Sequence, residues 1–211
     1  MRVIEKSWRA FGTGSLLLLA SVVLAACGDA VPPLPRLAPG DVVLAFGDSL
    51  TYGTGASSGD SYPEVLSTLI GHEVVAAGVP GEQTAAGLAR LDGVLDRYEP
   101  TIMLLCLGGN DMLRKADTSV IEANLRRMIE KASNRGVAVV LIGVPKPALF
   151  GGTADFYERI AEDLAVPFEG RILNDILKDN AYKSDPIHPN ARGYRLLAEA
   201  LADLLQRAGA V

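Results

Sequence analysis

Ser49 closes the run Val42-Val43-Leu44-Ala45-Phe46-Gly47-Asp48-Ser49 and is followed by Leu50-Thr51-Tyr52-Gly53. Five apolar, β-prone residues bounded by Gly47 and Asp48 predict a strand buried on both faces, as in a parallel sheet. Functional groups of such sheets collect beyond the strand C-termini. A hydroxyl placed there could be a nucleophile, although a serine after a strand also serves as a helix cap or turn former. A nucleophilic serine needs a base, and the chain has only two histidines, His72 and His188. His72 lies in Gly71-His72-Glu73 at the start of a predicted strand, and so at the sheet end opposite Ser49. His188 lies in Ser184-Asp185-Pro186-Ile187-His188-Pro189-Asn190, which Pro186 and Pro189 keep out of regular structure. Asp185 stands three residues before His188 in the same loop. It could hold one imidazole nitrogen while the other faces Ser49, the division of labour a serine hydrolase needs.

Attack on a carbonyl also requires donors aimed at the oxygen that becomes negative. A predicted third strand ends in Gly108-Gly109-Asn110-Asp111, and a second in Gly78-Val79-Pro80-Gly81. Adjacent parallel strands would bring both turns to the sheet edge that carries Ser49. Paired glycines permit close backbone approach, and the Asn110 side-chain amide is a donor of the kind that builds an oxyanion hole. Either Gly78 or Gly81 could contribute a backbone donor. Ser49 does not stand in a G-x-S-x-G elbow, which argues against a standard α/β-hydrolase.

The elements that must position these groups follow from periodicity. After the strand Val42 to Phe46, helical spacing predicts Tyr62 to Ile70, then a strand at Glu73 to Val79. Next come a helix at Thr84 to Tyr98, a buried strand at Ile102 to Leu107, a helix at Ser119 to Arg135 and a strand at Val137 to Val144. The last third predicts a helix near Ala154 to Leu164, a weak strand near Val166 to Glu169, a brief helix near Asn174 to Lys178, and a closing helix from Ala191 to Arg207. Helices alternating with strands imply a three-layer α/β/α sandwich around a mostly parallel five-stranded sheet. Two loops, Gly53 to Ser61 and Pro145 to Thr153, are long enough to shape a pocket.

Arg2, Lys6 and Arg9 precede the apolar run Ser15 to Ala26, a secretory signal pattern shorter than the roughly 20 residues of a membrane-spanning helix. The run ends in Leu24-Ala25-Ala26-Cys27-Gly28, which resembles a bacterial lipobox, so residues 1–26 are expected to be removed and Cys27 to carry lipid. The domain would then be exported and anchored to a membrane, facing the periplasm or the cell exterior, since each buried methylene contributes about 0.8 kcal/mol. Residues 27–40 hold Pro32, Pro33, Pro35 and Pro39 and read as a tether, and 41–211 as one domain. Removing residues 1–26 takes the net charge from −5 to −7, which makes nucleic acid an unsuitable partner. Cys106, inside an apolar run, reads as a small buried hydrophobe.

Phe46-Gly47-Asp48-Ser49-Leu50, the Gly81 turn, Gly108-Gly109-Asn110-Asp111 and Asp185-Pro186-Ile187-His188-Pro189-Asn190 resemble, in order and spacing, the four blocks of the SGNH, or GDSL, esterase and lipase family. The chain looks most like its bacterial periplasmic thioesterase, lysophospholipase and arylesterase type, in which a Gly-Leu-Ala-Arg-Leu run follows the second block, as Gly87 to Leu91 does here. The resemblance covers about Asp41 to Leu205 and implies the flavodoxin-like fold of that family. It implies Ser49 as nucleophile, His188 as base and Asp185 as its partner. The Ser49 N–H, the Gly81 N–H and the Asn110 amide are implied as oxyanion donors, and the choice of Gly81 over Gly78 rests on the resemblance. The expected reaction is hydrolysis of a small-molecule or lipid ester or thioester, with no metal, no organic cofactor and no obligate protein partner. Two other readings are removal of acetyl groups from envelope polysaccharide and binding of acyl chains without turnover.

Overall fold

The computed structural model describes Met1, residues 31–147 and residues 152–211. Strands β1 (Val42–Gly47), β2 (Glu73–Gly78), β3 (Ile102–Cys106), β4 (Ala138–Ile142) and β5 (Phe168–Glu169) form one sheet in the order β2-β1-β3-β4-β5, with every pairing parallel. The helices are α1 (Ser49–Tyr52), α2 (Tyr62–Ile70), α3 (Thr84–Tyr98), α4 (Gly109–Leu113), α5 (Thr118–Ser133), α6 (Asp155–Leu164), α7 (Ile172–Lys178) and α8 (Ala191–Arg207). Helix α8 packs on α2 and α7, while α5 packs on α3 and α6, giving a layer on each face of the sheet. The expected three-layer α/β/α sandwich is therefore present, with a sheet that is parallel throughout.

β1 and β3 are central and read as unbroken apolar runs because both of their faces meet helices. Their neighbours are set by helical spacing: Leu91 and Leu95 of α3 and Ile121, Leu125, Met128 and Ile129 of α5 are all buried. Cys106 is wholly buried, and burial pushes its thiol well above the usual range, as suits a small hydrophobe. The strand order reverses direction between β1 and β3. In open α/β sheets, a crevice opens at the C-terminal ends of the strands at such a switch point.

Two short helices, α1 and α4, begin immediately beyond β1 and β3, where the sequence predicts only turns. Four and five residues are too few to show a helical apolar period, so periodicity has nothing to detect. Gly78 explains how α1 fits: a Cβ there would run into the backbone of Asp48, Thr51 and Tyr52. That glycine serves the close approach of β2 to α1.

The tether behaves differently from its composition. Leu34 N–H donates to the Ala208 carbonyl at 2.9 Å and Leu37 N–H to the Ala210 carbonyl at 2.8 Å. Val31 and Leu34 pack against the core and Leu37 is buried, so the compact unit begins at Val31 rather than Asp41. Val31, Leu34 and Leu37 recur every three residues, the period of the polyproline II conformation, which places them on one side of a proline-rich chain. The predicted signal sequence beyond Met1, together with Cys27, lies outside the described residues, as do residues 148–151 of the second loop.

Candidate active site

Asp48 leaves β1 and caps α1, its Oδ1 accepting the Leu50 N–H at 3.0 Å, so Ser49 stands at the first position of that helix. The Ser49 backbone N–H has no partner among the described residues, as expected of a first-turn amide. Across the sheet edge, the segment Lys183 to Pro189 is closed by an antiparallel bridge between its ends, and the Ser184 N–H donates to the His188 carbonyl at 2.9 Å. Asn190 fixes this loop to α8 from both sides of its amide. Its Oδ1 accepts the Arg192 and Gly193 N–H groups, and its Nδ2 donates to the carbonyls of Ala181 and Lys183.

His188 Nε2 lies 2.9 Å from Ser49 Oγ, and His188 Nδ1 lies 2.7 Å from Asp185 Oδ2. Partial burial opposes ionisation of Asp185. Hydrogen bonds from the His188 ring and from the backbone N–H groups of Ile187 and His188 outweigh it and hold the carboxyl below the usual carboxylate range. An ionised carboxylate only accepts, so Nδ1 carries the proton and Nε2 is left to accept from the Ser49 hydroxyl. His72 sits at the start of β2, at the opposite end of the sheet.

Asn110, in α4, donates from Nδ2 to Asp48 Oδ2 at 3.0 Å. An amide nitrogen carries two hydrogens, so the second is available to the cleft that Asn110, Ser49 and His188 line together. α4 is itself anchored: Asp111 accepts the Thr84 N–H at 2.9 Å and the Thr84 hydroxyl at 2.7 Å, both buried. Gly81 occupies an exposed turn with φ of 78°, and its N–H has no partner among the described residues. It lies beyond the residues that line the cleft, and Asp185 lies behind His188. Arg90 pins the start of this turn, pairing with Glu82 through Nε and Nη2 at 2.7 and 2.6 Å and donating to the Ala77 carbonyl at 2.9 Å.

The cleft has a volume of about 740 Å³. Leu113, Val144, Pro145, Leu177 and Ile187 give it apolar walls, and Lys146, Lys178 and Lys183 add charge. The arrangement can move a proton from Ser49 to His188, hold the imidazolium against Asp185, and accommodate an acyl chain. Sequence reasoning singled out Ser49, Asp185, His188, Asn110 and Gly81, but gave no role to Asp48, Asn190 or the lysines. Asp48 reads as the polar end of a strand, and its contact with Asn110 spans 62 residues, which no local pattern reveals.

Residues 45–196 match the GDSL-like Lipase/Acylhydrolase family. The chain is 30% identical to the Thioesterase 1/protease 1/lysophospholipase L1 of Escherichia coli (strain K12) over 179 residues, covering 81% of this chain and 86% of that protein. It is 30% identical to an arylesterase of Vibrio mimicus over 201 residues, covering 90% of this chain and 98% of that one. Among solved structures, the crystal structure of TesA is similar with a TM-score of 0.72 and 25% identity, over 80% of this chain and 99% of the other.

Proposed function

The chain belongs to the GDSL-like lipase/acylhydrolase family, and from that premise we propose that it hydrolyses carboxylic esters or thioesters through an acyl group carried on Ser49. The observation that carries this reading is the unbroken sequence of hydrogen bonds from Ser49 Oγ through His188 to Asp185, at 2.9 and 2.7 Å. Ser49 Oγ attacks the carbonyl carbon while its proton passes to His188 Nε2. The negative oxygen is held by the Ser49 N–H and the second Asn110 amide hydrogen, and the family resemblance adds the Gly81 N–H, from the turn beyond the cleft lining, as a third donor. His188 returns the proton to the departing alcohol or thiol. Water then attacks the acyl-serine by the same route and releases the acid.

Family membership and the relatives' names favour ester hydrolysis over acyl binding without turnover. The apolar walls suit an acyl chain longer than acetyl, which weighs against removal of acetyl groups from polysaccharide. Export and membrane attachment through lipid on Cys27 belong to the same proposal and rest on residues 1–28 of the sequence.

A panel of p-nitrophenyl esters from acetyl to dodecanoyl, with acyl thioesters, tests the reading on wild type beside Ser49→Ala. The expected result is turnover that extends beyond acetyl and a loss on the order of 10⁶-fold in kcat in the variant. Equal hydrolysis by both proteins would sink the mechanism, and activity confined to acetyl esters would sink the chain-length argument.

A further inference from the structure

Among the described residues, the three largest wholly buried side chains are tyrosines, Tyr62, Tyr157 and Tyr194. Phenylalanine would fill such sites as well, and a hydroxyl among apolar neighbours is costly unless it is bonded. Each of these hydroxyls has a partner at the catalytic edge of the sheet. Tyr62 shares a hydrogen bond with Thr51 Oγ1 of α1 at 2.9 Å, and Tyr194 donates to the Thr54 carbonyl just beyond α1 at 2.8 Å. Both reach in from the layer of α2 and α8. Tyr157 comes from α6 in the opposite layer and donates to the Leu107 carbonyl, just beyond β3, at 2.7 Å.

That last bond falls where α4 has least support of its own. Five residues are too few for a helix to hold itself, and its N-cap, Gly108, contributes no side-chain bond. Only Gly108 and Gly109 separate Leu107 from Asn110, so the backbone between them is the least restricted a chain can offer. Tyr157 takes up that freedom, because a Cβ on Gly108 would run into its hydroxyl and the peptide is seated directly on the phenol oxygen. Burial, Cys106 and the carboxylates of Asp48 and Asp111 push the phenol well above its usual range, so it stays protonated and donates.

Asn110 therefore has two separate restraints. Asp48 takes one hydrogen of its side-chain amide, which orients the amide without fixing where α4 begins. Leu107, held by Tyr157, sets that origin. A donor aimed at a developing oxyanion must be placed to within about 0.5 Å, so both restraints bear on the rate. We propose that Tyr157 is a positioning residue of the oxyanion site, its hydroxyl holding the Leu107–Gly108 peptide so that the second Asn110 amide hydrogen meets the oxygen beside Ser49. The inference rests on the ester-hydrolysis reading and adds to it a residue that touches neither the substrate nor the reacting atoms.

A double-mutant cycle on hydrolysis of p-nitrophenyl butyrate tests it, with wild type, Y157F, N110A and Y157F/N110A. A matching cycle with Y194F deletes a buried hydroxyl that also bonds a carbonyl, but in the other layer. All six proteins are assayed in about 1 M sucrose, which favours the folded state, and kcat is referred to the folded fraction read by circular dichroism. Y157F is expected to lower kcat by about tenfold with KM within about twofold, because the donor acts chiefly on the transition state. In the N110A background the same substitution is expected to cost less than about twofold, since the group it positions is gone. The factor lost to Y194F should be the same with and without Asn110. A Y157F loss of equal size in both backgrounds, a loss that falls on KM alone, or no loss at all would overturn the inference and leave ester hydrolysis standing. A Y194F loss that shrinks in N110A as the Y157F loss does would mark a general loosening of the fold and overturn it as well. Wild-type kcat in N110A, by contrast, would remove Asn110 from the mechanism and this inference with it.

Discussion

Asp48 is 2% exposed, and a carboxyl group that deeply placed pays a desolvation penalty when it ionises. Burial pushes its pKa up to about 6, against the lowering effect of the Leu50 N–H, the Asn110 amide and the nearby His188. A folded-state pKa above the ordinary value of 3.8 means that the fold favours the protonated form. The associated stability is fully present below about pH 3.8 and is lost as pH rises through about 6. A shift of this size is worth about 3 kcal/mol. At neutral pH the protein retains that cost because the ionised group accepts two N–H donors at once, one from α1 and one from Asn110. An amide in its place has only one acceptor oxygen, so Asp48→Asn must drop one of the two. The prediction is twofold. Between pH 5 and pH 8, wild type loses more unfolding free energy than D48N does, measured by urea titration at each pH. At pH 8, kcat of D48N falls by about 10-fold to 100-fold as Asn110 loses its orientation. Parallel stability profiles would show that Asp48 is not the group that titrates.

At the scale of elements, the site depends on how α8 is joined to the loop ahead of it. Asn190 Oδ1 caps the helix through the Arg192 and Gly193 N–H groups, while its Nδ2 holds the carbonyls of Ala181 and Lys183. The two halves of one amide thus do separable jobs. Asn190→Ala removes both and is expected to cost about 1–2 kcal/mol of stability as well as activity. Asn190→Asp keeps a capping oxygen at a helix N-terminus but cannot donate to the loop. It is expected to melt within a few degrees of wild type and to lose activity chiefly in kcat, because the loop that aims His188 is no longer held. Wild-type kcat in N190D would refute the argument. The sequence made the long elements legible because buried stripes on α3, α5 and α8 recur at helical spacing, and β1 and β3 are continuous apolar runs. Ser49, Asp185 and His188 were legible because scarce histidine left few ways to build a base. The bond from Asp48 to Asn110 was not, since it forms only when β1 and β3 become neighbours. Nor were α1 and α4, which are too short to have a period, or the docking of residues 31–37, whose three-residue spacing is hidden among prolines.

For the whole molecule, the placement of residues 31–37 limits what an anchor at Cys27 would allow. These residues bond to Ala208 and Ala210 beyond the C-terminal end of α8, and Asp41 leads into the start of β1, so the chain enters the domain at the N-terminal edge of the sheet. Ser49 and His188 lie at the opposite edge, where α8 begins, and its 17 residues put about 25 Å between the two ends. Only Gly28, Asp29 and Ala30 separate Cys27 from Val31, a span of at most about 14 Å. With lipid on Cys27, as proposed, so short a link would hold the cleft facing away from the bilayer that carries the anchor. The enzyme would then serve esters that arrive dissolved or dispersed, and esters embedded in its own bilayer would be out of reach. Inserting about 20 Gly/Ser residues between Ala30 and Val31 adds a mean reach of about 25 Å. In lipidated protein reconstituted into vesicles, that insertion is expected to raise hydrolysis of a long-chain ester embedded in the same vesicle by about tenfold or more, through a higher effective concentration. The rate on soluble p-nitrophenyl butyrate should stay within about twofold, because the insertion touches no part of the cleft. Equal rates on the embedded ester with the natural and the extended link would mean that residues 31–37 peel away from α8, or that the domain lies on its side, and the outward-facing arrangement would have to be abandoned.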